Sequence, residues 1–84
     1  MTAHDFKPRL RNQITEVLDC IARAKDVESR NRLNYYLRKM RDMEQDKHEG
    51  EKDYQIRINE FEYPESIQEI RNYCLTFYEN LRKI

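Results

Sequence analysis

The chain has 84 residues, equal numbers of basic and acidic side chains (16 each), one Gly and two Pro, which is too little turn chemistry for an all-β sandwich or barrel. A chain this short is one domain (1–84) with a thin core, and no apolar run reaches the roughly 18 to 20 residues needed to cross a bilayer. Asp5, Lys7, Pro8, Arg9 and Arg11 leave no apolar stretch for a signal peptide, so no membrane partner and a cytoplasmic location are expected.

Val, Ile, Leu and Phe total 18 residues, near the roughly 20% level below which a strongly charged chain stays disordered. Net charge is zero and the apolar residues are periodic, so the expectation is an all-α fold with marginal burial. That fold is a small three-helix bundle or helical hairpin ending in a heptad helix. A second copy or a partner would then complete the buried surface.

The first helix is expected over residues 6–25, with residues 1–5 frayed. Asp5 is read as its N-cap and Pro8 as lying in its first turn; Leu10, Ile14, Val17, Leu18, Ile21 and Ala24 mark its apolar face. Neither Gly nor Pro separates it from the next helix. A break is nonetheless preferred to one continuous rod, because Asp26 can cap a new start and a rod would leave the first apolar face uncovered.

The second helix is expected over 28–48, carried by Leu33, Tyr36, Leu37, Met40 and Met43. Gly50 is read as its C-cap or as a weak point in a longer helix. Residues 51–63 either extend the second helix or form a short extended segment, placed at 54–62. Tyr54, Ile56 and Ile58 alternate like a half-buried strand, whereas Tyr54, Ile58 and Phe61 fit a helix, which is preferred.

Pro64 ends that stretch and opens a last helix over 65–83, with a Ser66/Glu69 capping box and Glu65 adding negative charge near its start. Ile67, Ile70, Cys74, Phe77, Leu81 and Ile84 then recur at alternating intervals of three and four, the seam of a helix built to pack along another.

Charge is unevenly distributed along the chain. Residues 1–41 carry ten Lys/Arg against five Asp/Glu, whereas residues 42–70 carry three against ten. Arg30, Asn34, Arg38 and Arg41 follow one flank of the second helix beside Tyr35, which supports an alternative reading as a nucleic-acid-binding regulator. The near-neutral composition argues for a solvated, ion-paired face instead.

No catalytic or metal-binding motif emerges. Glu44 and His48, a turn apart on a helix, offer two corners of a metal site and no more. Cys20 and Cys74 are read as free, inert core thiols, and His4 as exposed. No catalytic residue, cofactor or metal is expected. Six tyrosines suit an interface that must also meet water. The favoured reading is a non-enzymatic interaction protein of adaptor, inhibitor, immunity or chaperone type, self-associating or binding a protein through Ile67, Ile70, Tyr73, Phe77, Tyr78 and Leu81.

Overall fold

The computed structural model describes residues 2–61 and 63–83; the side chains of residues 63–65 are not included. Expectations resting on Glu62, on the side chains of Tyr63 and Glu65, or on Ile84 lie outside the described residues. Four helices make up the described chain: α1 (Ala3–Arg23), α2 (Val27–Asp42), α3 (Glu51–Glu60) and α4 (Tyr63–Arg82). They form an elongated all-α bundle of 46 × 20 × 17 Å.

α1 is the central helix, packed against all three others. It begins earlier than Asp5, at a Thr2 cap whose hydroxyl accepts the Asp5 N–H at 3.2 Å. Pro8 therefore lies inside the helix rather than in its first turn. Its missing N–H leaves the His4 carbonyl without its usual i→i−4 donor. The buried face is Ala3, Phe6, Leu10, Gln13, Val17, Cys20 and Ala24, with Ile14 beside it. Those seven positions alternate in steps of three and four, so α1 carries a seam of its own, into which the polar Gln13 falls. Leu18, expected on the apolar face, is exposed.

The break before α2 is present. Arg23 ends α1 and Asp26 caps α2, its carboxylate accepting the Ser29 N–H at 2.9 Å. This hydrogen bond from Ser29 holds the Asp26 carboxyl below the usual range. Arg30 reaches back to the Ala24 carbonyl at 3.1 Å and satisfies the end of α1. α2 then descends antiparallel to α1 and buries Leu33, Tyr36 and Met40. It stops at Asp42, not at residue 48, so Glu44 and His48 do not share a helix face.

Residues 51–60 form neither a continuation of α2 nor an extended segment. They are a separate helix, α3, whose N-cap is Gly50. Gly50 has φ −72°, an ordinary angle for any residue, so it is not a left-handed C-cap of α2. Tyr54 and Ile58 are buried while Ile56 is half exposed, the pattern of a helix rather than of strand alternation. α3 lies across the start of α1: the Ala3 N–H donates to the Gln55 side-chain oxygen, and Lys7 pairs with Glu51 at 3.5 Å.

α4 begins at Tyr63, which places Ser66 inside the helix, where it does not serve as the N-cap of a capping box. It runs parallel to α1, since Gln13 meets Cys74 and, further along both helices, Asp19 meets Tyr78. Ile67, Ile70 and Cys74 are buried in the common core, with Tyr73, Phe77 and Tyr78 packed partly against it. Full burial of a side chain such as Ile70 contributes about 1.5–3 kcal/mol.

Candidate functional site

Two surfaces merit a functional reading, and both arise from where the helices leave side chains uncovered. The first lies along the C-terminal halves of α1 and α4. The first part of the α4 seam, Ile67, Ile70 and Cys74, is spent internally: Cys74 sits against Gln13, Glu16 and Cys20 of α1. Of the six predicted partner-binding residues, Ile67 and Ile70 are core residues of this chain, while Tyr73, Phe77, Tyr78 and Leu81 are half-buried.

The two tyrosines that flank the seam hold α4 to its neighbours. The Tyr73 ring meets Tyr36 of α2 edge-on, with centroids 5.3 Å apart. The Tyr78 hydroxyl donates to Asp19 of α1 at 2.6 Å. That bond, together with Arg23 at 3.0 Å, holds the Asp19 carboxyl below its ordinary range. Burial, then the bond to Asp19, pushes the Tyr78 phenol up.

A concavity opens beside them, lined by Arg23, Leu75, Thr76, Tyr78, Glu79, Leu81 and Arg82. Leu75 is 52% exposed there. Sequence reasoning missed it because it lies off the three-four seam. That offset was itself the available signal, since an apolar residue outside the seam of an amphipathic helix faces away from the core.

The second surface is the α1–α2 face. Lys7, Arg11 and Arg41 line one depression together with Leu10, Ile14, Thr15, Glu44, Gln45 and Tyr54. Arg41 also borders a second depression with Asn31, Asn34, Tyr35, Leu37 and Arg38. Of the predicted stripe, Asn34, Arg38 and Arg41 thus come together, while Arg30 is committed to the end of α1. Arg41 pairs with Glu44 at 3.2 Å. Packing of α1 alongside α2 brings Lys7 and Arg11 to Arg41.

Other polar features are structural. Arg57 donates to the Asp42 and Glu44 carbonyls at 2.9 and 2.8 Å and to both Glu49 oxygens at 3.0 and 2.8 Å. These bonds tie the α2–α3 connection to α3 and hold the Glu49 carboxyl below its usual range. Three of the acids between residues 42 and 53 are ion-paired, Glu44 with Arg41, Glu49 with Arg57 and Glu51 with Lys7.

Cys20 and Cys74 are free, fully buried and in mutual contact; burial first of all pushes both thiols up. His4 and His48 are exposed. Among the described residues, no group of three or more His, Cys, Asp or Glu side chains is placed to hold a metal ion. No described helix is long and apolar enough to cross a membrane.

The fold defines a small all-α helical bundle organised on a central first helix. Comparison with protein-family models, curated proteins and solved structures finds no match to the chain.

Proposed function

We propose that this chain is a small non-enzymatic interaction protein that binds another protein through the concavity between the C-terminal halves of α1 and α4. One observation carries the reading: a half-exposed Leu75 beside half-buried Tyr78 and Leu81, rimmed by Arg23 and Arg82. An apolar centre with an aromatic ring and an arginine rim is the composition of a protein-binding hot spot. Arg23 is paired with Asp19 and Glu79 shares the lining, so the groove is close to charge-balanced and suits the apolar face of an amphipathic helix, supplied by a partner or, in self-association, by a second copy of the chain.

Leu75→Asp tests this directly, because the side chain is half in solvent and its replacement leaves the core intact. Sedimentation of the wild type across a concentration series, and capture of partners by immobilised wild type and variant, should both respond to the change. A wild-type protein that stays monomeric, together with an identical set of captured partners for Leu75→Asp, would show that the groove is not the binding surface.

A further inference from the structure

The α1–α2 face is independent of the α4 groove and has a different chemistry. Lys7 and Arg11 of α1 and Arg38 and Arg41 of α2 line two depressions that meet at Arg41, one of them about 400 Å³. Among the described residues, two of these four cations are ion-paired, Arg41 with Glu44 and Lys7 with Glu51. Among the described residues Arg11 and Arg38 form no ion pair, so two guanidiniums are free to grip an anion with their forked donors. Net neutrality of the whole chain hides this, because the balancing acids are concentrated in residues 42–70.

Next to the cations stands an aromatic platform. The Tyr35 ring is 54% exposed. It leans on Tyr36 in a tilted contact at 5.9 Å, and Tyr36 meets Tyr73 edge-on at 5.3 Å, so the outer ring is backed by a chain of ring contacts that reaches the core. Asn31, Asn34 and Arg38 border it. Tyr35 and Arg41 are six residues apart, about 9 Å along the helix axis. Side-chain amides offer the paired donor and acceptor that base edges present, and an exposed ring accepts the face of an unpaired base. An acidic peptide would satisfy the cations but would leave the ring and amides without a matching partner.

We propose that the α1–α2 face binds single-stranded nucleic acid, with Lys7, Arg11, Arg38 and Arg41 on phosphates and Tyr35 stacked on a base. A duplex keeps its bases within the stack and cannot use Tyr35 in this way. The association is non-covalent and electrostatic in its largest part, so it weakens with salt. Three or four phosphate contacts on a single strand give a logarithmic salt slope of about −2 to −3, a loss of roughly 20- to 50-fold between 50 and 200 mM salt.

The test is fluorescence anisotropy of labelled mixed-sequence 20-mer oligonucleotides, DNA and RNA, single-stranded and duplex, titrated with the full chain. Single strands should bind with the stated salt slope. Arg11→Gln/Arg38→Gln should reduce the slope by about 1 to 1.5, and Tyr35→Ala should weaken binding about tenfold. All three positions are solvent-exposed, and circular dichroism serves to check that each variant folds before it is titrated. Absence of binding by the folded wild type at 20 mM salt overturns the proposal. It is equally overturned if duplex DNA or polyglutamate binds as tightly as the single strand, or if Tyr35→Ala changes nothing. Leu75→Asp should bind the oligonucleotides as the wild type does, which separates this surface from the α4 groove.

Discussion

Arg57 ties the α2–α3 connection to α3 alongside the Tyr54 hydroxyl, which donates to the Met43 carbonyl at 2.7 Å, and removal of Arg57 is the most informative perturbation of the fold. Its guanidinium donates hydrogen bonds of 2.8–3.0 Å to the backbone carbonyls of Asp42 and Glu44 and to both Glu49 oxygens. It also lies over the Tyr54 ring, 5.1 Å from the centroid. The side chains of Arg57 and Glu49 are only 21% and 13% exposed, so the pair is better shielded than a surface bridge. Hydrogen bonds to charged groups contribute about 1.5–3 kcal/mol each, but water reclaims the Asp42 and Glu44 carbonyls after truncation. The expected cost of Arg57→Ala is therefore about 2–3 kcal/mol. A chain of this size has a total stability of roughly 4–12 kcal/mol, so a loss of that size lowers the melting temperature by about 10–20 °C. Urea unfolding followed by circular dichroism measures it, and hydrogen exchange localises it to residues 43–50. Arg57→Lys keeps the charge without the planar fork and should recover less than half of the loss. A change below about 0.5 kcal/mol in Arg57→Ala, or full recovery by lysine, would refute the clamp.

The helical assignment of α3 predicts opposite outcomes at two isoleucines that a strand would place on the same face. Ile58→Ala should cost about 2–4 kcal/mol in urea unfolding and Ile56→Ala less than about 0.5, and equal costs would contradict the helix. Glu49, Asp19 and Asp26 have carboxyls held below their ordinary values, so the stability they add is present above about pH 4 and lost as the pH falls through their lower folded values. The urea midpoint should hold steady from pH 7 to about pH 5 and drop below pH 4, with a shallower drop in Glu49→Gln. A midpoint that stays level in acid would rule this out. Cys20 and Cys74 are buried with raised thiol values, so labelling by an aromatic disulfide reagent at pH 8 should be slow in the native protein and complete for both thiols in urea. Rapid native labelling would place a thiol at the surface.

Sequence by itself determined the all-α class, the Asp26 start of α2 and the α4 seam. Each depends on groups a few residues apart: a cap on the N–H three residues on, or apolar side chains recurring every third and fourth position. Such signals reached their limit at residues 43–63, where short apolar spacings suited both periods and the deciding contact, Arg57 with carbonyls 13 and 15 residues away, left no local mark. Gln13 was legible in principle, since it falls on the three-four seam of α1, but its polarity hid it. Only the tertiary structure decided which faces were covered. Parallel packing on α1 buried Ile67 and Ile70 and left Leu75 in solvent, and antiparallel packing of α2 carried Arg11 to Arg41, thirty positions away in the chain. The physical reason is that periodicity specifies that a helix has an apolar face, whereas the helix that covers it depends on side-chain fit summed over the whole bundle.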